Sequence, residues 1–96
     1  HGLLGLTRTL ALEVARDGIT VNAICPGPVR TEMNNRRIDY DAQRLGITIT
    51  ELESRLTPIG RRLEPEEIVP MAVLLASAES AAITGQAFNV CGGIAT

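Results

Sequence analysis

One stretch constrains the chain more than any other: Ile19-Thr20-Val21-Asn22-Ala23-Ile24-Cys25-Pro26-Gly27-Pro28-Val29-Arg30-Thr31. Its first half is a β-branched, apolar run, the pattern of a buried strand. Pro26-Gly27 then stops it, as a strong turn signal does. Pro26 and Pro28 remove two backbone donors and hold the chain extended, while Gly27 leaves no side chain to keep a ligand from the backbone. Beyond the turn Val29 carries a backbone N–H and C=O, and Thr31 adds a short hydroxyl. In open α/β sheets, ligands gather at the carboxyl ends of strands. This strand end is therefore shaped to offer backbone and one hydroxyl to a polar partner. The plain alternative is a Pro-Gly turn followed by a helix-capping threonine.

The segments on either side fit an α/β arrangement. Before the strand, Leu3, Leu6, Leu10 and Val14, with Leu4, Thr7, Ala11 and Ala15, share one side of a helical wheel. Gly2, Gly5 and Leu12 lie on the other side, where the two glycines would let a second helix come close. Gly18 suits the left-handed position that closes a helix. Helix, short turn and buried strand make half of a right-handed βαβ unit, so a preceding strand is expected upstream. From Glu32 to Thr57 the chain reads as polar and irregular, with a short helix up to Leu56. That helix starts at a capping box formed by Thr48 with Glu51 or by Thr50 with Glu53. A connector of this length after a ligand-facing strand end suits a lid or specificity loop, or a solvated link without a binding role. Its apolar candidates to face a substrate are Met33, Ile38, Tyr40 and Leu45; Arg36 and Arg37 suit either an anionic substrate or a solvated face. Pro65-Glu66-Glu67-Ile68 opens a second long helix, with a stripe of Ile68, Met71, Leu75 and Ala78 and an expected kink at Pro70. Ala87 to Cys91 is a second short strand, ended by Gly92-Gly93.

Composition narrows the functional classes. A net charge of −2 gives no electrostatic case for nucleic acid or an anionic membrane. The longest unbroken apolar run, Met71 to Ala76, is too short to span a bilayer, and no signal peptide is visible. Cys25 and Cys91 do not make a disulfide framework and read as buried thiols in a reducing compartment, hence a cytoplasmic protein. With a single His and no second ligand at metal-binding spacing, no metal site is expected.

Four motifs in order resemble the second half of the short-chain dehydrogenase/reductase family. They are Asn22-Ala23 with Pro26-Gly27 and Thr31; the helix from His1 to Asp17; Pro58-Ile59-Gly60-Arg61 with Pro65-Glu66-Glu67-Ile68; and Ile83-Thr84-Gly85-Gln86 with Val90 and Gly92-Gly93. Pro70 and Cys91 depart from the pattern, which more often has a small residue and an acidic one there. The resemblance implies the C-terminal part of a doubly wound, parallel-sheet, Rossmann-like α/β domain. Two strands and two long helices would span residues 1–96, with 31–57 as the substrate-binding loop region. It implies hydride transfer between NAD or NADP and a carbonyl or secondary alcohol, with 3-oxoacyl or 3-hydroxyacyl compounds or small alcohols preferred.

By this resemblance, Pro26, Gly27 and Val29 would lie against the nicotinamide. The backbone at Val29 would bond the carboxamide, and Thr31 would offer its hydroxyl to carboxamide or phosphate. Met33 and Tyr40 would face the substrate. The family's catalytic serine, tyrosine and lysine and its Gly-rich turn have no counterpart in this sequence. The tyrosine and lysine would precede His1, in an N-terminal half that partners this chain. The chain alone is expected to be inactive, unstable unless docked, and part of a dimer or tetramer. The alternatives are a non-catalytic oligomerisation module and an independent small α/β protein.

Overall fold

The computed structural model describes residues 2–94. The chain divides into two compact units, one drawn from His1–Cys25 and Val69–Asn89, the other from Pro26–Ile68 and Val90–Thr96.

The first unit opens with α1, Gly2–Val14, continued by a 3-10 turn at Ala15–Asp17. Gly18, at φ 73°, closes it with its N–H on Ala15 O, as its sequence position predicts. The buried stripe is narrower than the hydrophobic pattern suggests. Thr7 and Ala11 are buried, Leu4 and Val14 are half-buried, and Leu3, Leu6 and Leu10 are exposed. Thr7 can be buried because its hydroxyl donates to Leu3 O one turn back, at 2.7 Å.

Strands β1, Ala23–Pro26, and β2, Ala87–Val90, form a two-stranded sheet. Their numbering rises together, from Gly85 N–H on Val21 O to Ala23 N–H on Gln86 O, so the pair is parallel. Two side chains extend this pairing backward. Asn22 donates to Ile83 O at 2.9 Å and accepts from Gln86 N–H at 3.1 Å, and Thr84 Oγ1 accepts from Val21 N–H at 3.0 Å. Asn22 is thus a clamp between the strands, which explains why an amide fits a position beside an apolar run.

Helix α4, Val69–Ala76, is apolar along its length, yet none of its residues is buried. The expected long helix from Pro65 does not form. Pro65–Glu67 is a separate 3-10 turn, capped by reciprocal bonds between Glu64 and Glu67, and α4 begins at Val69. Pro70 therefore falls in the first helical turn, where its missing N–H breaks no internal bond, and no kink is needed.

The second unit corrects the reading of residues 32–57 as largely irregular. Helix α2 runs Glu32–Leu45, capped by Thr31 at its start and by left-handed Gly46 at its end. Ion pairs one turn apart, Arg36 with Glu32 and Arg37 with Asp41, line its surface. Helix α3, Ile49–Leu56, starts at the Thr48 cap, whose Oγ1 accepts from Glu51 N–H, so the Thr48 alternative is the one adopted. Ile38, Ala42 and Leu52 form the buried core between α2 and α3, with Ile47 and Leu56 against it. Leu63 is also buried, at 3% exposure, in a parallel bridge to Val29.

Candidate functional site

The segment Pro26–Thr31 lies wholly in the second unit. Its geometry begins at Gly27, whose N–H donates to Val90 O at 2.9 Å. A Cβ at Gly27 would sit 2.8 Å from Cys91 Cα and 3.1 Å from Cys91 O. The sequence suggests a glycine kept bare for a ligand. What crowds it in the fold is the main chain at the end of β2, so the residue is first a packing requirement.

After Gly27 the backbone alternates between tied and untied groups. Leu63 N–H donates to Pro28 O and Arg30 N–H donates to Leu63 O, both at 2.8 Å. Between them, Val29 makes no hydrogen bond with either its N–H or its C=O among the described residues. In a parallel bridge the residue opposite its partner turns both groups to the far side. Val29 is half-buried, so the strand end holds out one donor and one acceptor from a single anchored residue.

Thr31 follows as the N-cap of α2. Its Oγ1 accepts from Asn34 N–H at 3.2 Å, and its backbone O takes the first helical bond, from Asn35 N–H at 2.8 Å. The helix-capping role weighed for this residue is therefore real. A hydroxyl that accepts still has its own proton to donate, so capping leaves Thr31 with a donor on the exposed side. Val29 and Thr31 together match the needs of a planar amide: an acceptor and a donor from one residue, and a second donor nearby.

A polar network backs this edge. Glu53 on α3 accepts from Arg62 Nε at 2.8 Å and from Arg30 Nη2 at 3.1 Å. Arg30 Nε also pairs with Glu64 at 3.0 Å. Arg62 Nη1 donates to Asn34 Oδ1 at 2.9 Å and Asn35 Oδ1 at 2.7 Å. The side chains of Arg62 and Glu53 are 5% and 9% exposed. Sequence reasoning missed this group. Arg62 passes there as the residue after the Pro58-Ile59-Gly60-Arg61 motif, Glu53 as one of two alternative capping partners, and their nine-residue separation fits no helical or strand period. Beside it, Arg61 grips Glu67 with two bonds of 2.6 and 2.9 Å. Those bonds, with the backbone N–H of Glu64, hold the Glu67 carboxyl down at about 2 and push the Arg61 guanidinium up.

The remaining candidates fall as follows. Met33 and Tyr40, seven residues apart, share the outer face of α2 and are 82% and 65% exposed. Ile38, read as a substrate-facing candidate, is instead core between α2 and α3. Arg36 and Arg37 are occupied by Glu32 and Asp41, as a solvated face would have them. Cys25 and Cys91 are half-buried rather than buried, and no disulfide joins them. No helix among the described residues is long and apolar enough to cross a membrane.

Residues 1–95 match the family described as enoyl-(acyl carrier protein) reductase. The Streptomyces violaceoruber protein named as ketoacyl reductase 1 of the granaticin polyketide synthase is 45% identical over 97 residues, covering 98% of this chain and 36% of that protein. The D-beta-hydroxybutyrate dehydrogenase of Rhizobium meliloti is 40% identical, covering 97% of this chain and 38% of the relative. Among solved structures, the F189W actinorhodin polyketide ketoreductase with NADPH superposes with a TM-score of 0.84 at 42% identity, over 98% of this chain and 37% of that one. The chain thus spans little more than a third of the relatives it matches. With its parallel strand pair, its Pro-Gly strand end and a family match over nearly every residue, the chain belongs to the short-chain dehydrogenase/reductase family.

Proposed function

We propose that the Gly27–Thr31 edge is the nicotinamide-facing wall of a dinucleotide site, in an enzyme that moves hydride between NADP(H) and a carbonyl or secondary alcohol. The observation that carries this reading is Val29, whose unpaired N–H and C=O lie between two residues tied to Leu63. A carboxamide offers the complementary acceptor and donor in one plane. The bound cofactor would supply the hydride. The chain's own residues bind and orient. The Val29 main chain fixes the carboxamide, Thr31 donates its hydroxyl proton to carboxamide or phosphate, and Pro26 and Gly27 complete the wall. NADP(H) is preferred over NAD(H) because the actinorhodin ketoreductase, 42% identical to this chain, was solved with NADPH. A 3-oxoacyl or 3-hydroxyacyl substrate is supported by the ketoacyl reductase and hydroxybutyrate dehydrogenase names of the relatives. Met33 and Tyr40, on the open face of α2, would meet that substrate as part of a 31–57 binding region.

The chain has no Lys, and the family resemblance places the acid/base tyrosine with its lysine upstream of Tyr40, so we read that group as coming from elsewhere in the enzyme. We therefore read residues 1–96 as one portion of a Rossmann-like domain, inactive and weakly stable by itself. Leu3, Leu6 and Leu12 on α1 are exposed, which favours burial against the rest of the enzyme or a second subunit. A second reading, as an assembly module without catalysis, rests on the same leucines and would give oligomers that bind no dinucleotide.

The test is a fluorescence titration of the whole enzyme with NADPH and NADH. Val29→Pro deletes the free N–H without removing an internal hydrogen bond. Thr31→Asp keeps a capping acceptor and removes the donor. Each is expected to raise the NADPH Kd about tenfold. Parental Kd in both variants would overturn the reading.

A further inference from the structure

The network behind Val29 is centred on a buried ion pair, Arg62 with Glu53. A buried ion pair can commonly be replaced by apolar residues with no loss of stability, so a retained one asks for another reason. Here the reason is visible in what Arg62 holds besides Glu53. One guanidinium nitrogen reaches both Asn34 Oδ1 and Asn35 Oδ1, and the backbone N–H of Asn34 is the group that Thr31 Oγ1 accepts. Arg62 adjoins Leu63, whose backbone ties Pro28 and Arg30 on either side of Val29. Glu53 joins Arg62 to Arg30 itself. One planar cation therefore touches both ends of the edge: the first turn of α2, which sets the Thr31 hydroxyl, and the bridge that leaves Val29 bare.

We propose that Arg62 is a positioning residue for the dinucleotide: by holding Asn34 and Asn35 while paired to Glu53, it keeps the Thr31 hydroxyl and the Val29 backbone in one geometry. This rests on reading the edge as the dinucleotide wall. Arg62 touches neither cofactor nor substrate and acts through Asn34 and the Leu63 bridge. Lys at this position would carry the charge without the fork that serves Glu53 and two amides at once.

The experiment compares three variants of the whole enzyme by NADPH titration, thermal melting and hydrogen exchange over residues 31–35. Arg62→Met leaves Glu53 buried beside Arg30 alone and is expected to melt earlier. Combined with Glu53→Leu, it removes the buried charge pair, and the melting temperature should recover. Positioning requires that the NADPH Kd of this double variant stay raised, about tenfold, with faster exchange at Asn34 and Asn35. Its kcat at saturating NADPH should remain within about twofold, because bound cofactor restores the geometry. The third variant, Asn34→Ala with Asn35→Ala, keeps the Arg62–Glu53 pair and should show the same rise in Kd with a smaller fall in melting temperature than Arg62→Met. A parental Kd in the asparagine variant, or in the Arg62→Met/Glu53→Leu variant once its stability is restored, overturns the proposal and leaves Arg62 a structural residue only. Thr31→Asp separates the two layers. Parental Kd there and in Val29→Pro refutes the wall itself, whereas a raised Kd in either with parental Kd in the asparagine variant refutes the role of Arg62 alone.

Discussion

The two units solve opposite problems. In the first, α1 and α4 are rich in Leu, Val, Met and Ala, and yet α4 buries nothing and α1 buries only Thr7 and Ala11. In the second, α2 is among the most polar segments of the chain, and yet Ile38 and Ala42 close a core with Leu52. Apolar content is thus a poor guide to which part of this protein is finished. A helix with a narrow apolar stripe needs one neighbour and has it in α3. A helix that is apolar around its circumference needs surface on several sides. The polar unit carries the candidate site, and its geometry is set by hydrogen bonds within that unit.

The largest effect that separates the units is expected in their cores. Ile38→Ala should cost the whole enzyme about 3 kcal/mol, as truncation of a buried aliphatic side chain does, measured by urea unfolding. Leu6→Ala should cost less, and its cost should grow as protein concentration rises if a second subunit covers that face. Equal, concentration-independent losses would break the contrast. Next comes Gly27→Ala, with a new Cβ 2.8 Å from the Cys91 backbone. It should destabilise by about 2 kcal/mol, whereas the same change at Gly5, where a Cβ meets nothing within 4 Å, should be neutral or better. Smaller again is Thr48→Ala, which removes the cap of α3 and should cost about 1 kcal/mol in the same assay.

The smallest effect is the pH response of Glu67. Its carboxyl lies at about 2 in the folded chain against 4.5 in the reference state. A carboxyl held down by folding adds stability that is full above 4.5 and fades as the pH falls toward 2. Urea midpoints taken down that range should drop less in Glu67→Gln than in the parent. Because both partners are exposed, screening keeps the difference slight, and added salt should shrink it further.

Local chemistry was the legible part of this sequence. The Thr48 cap, the Gly18 closure and the Pro26-Gly27 stop are each written within a few residues, and each stands where it was expected. Helix α2 was hidden because Asn34, Asn35, Asp39 and Asp41 look like loop residues. The signals that would have revealed it were the Thr31 and Gly46 ends, the Ile38-Ala42 spacing and the two ion pairs one turn apart. The Arg62 network was hidden for another reason. Its buried cation meets Glu53 nine residues away and Asn34 and Asn35 28 and 27 residues away, and no periodicity in the sequence encodes such a meeting. At Gly27 the sequence showed a bare backbone but not the packing against Cys91, since a close approach by a distant strand cannot be read locally. Within the proposed wall, the chemistry of Val29 was legible only as an available backbone. That its neighbours are tied while it is not depends on Leu63.

The bare backbone at Val29 also bears on how this protein would look to a survey of its mutants. A contact made through main-chain atoms survives almost any change of side chain, so Val29→Ala, Val29→Ile or Val29→Thr would pass as silent. A scan by alanine would score the position as dispensable while the grip on the ligand stayed whole. The side chain at 29 is then free to drift over generations, and variety there among related sequences would be the mark of a recognition written in the chain itself.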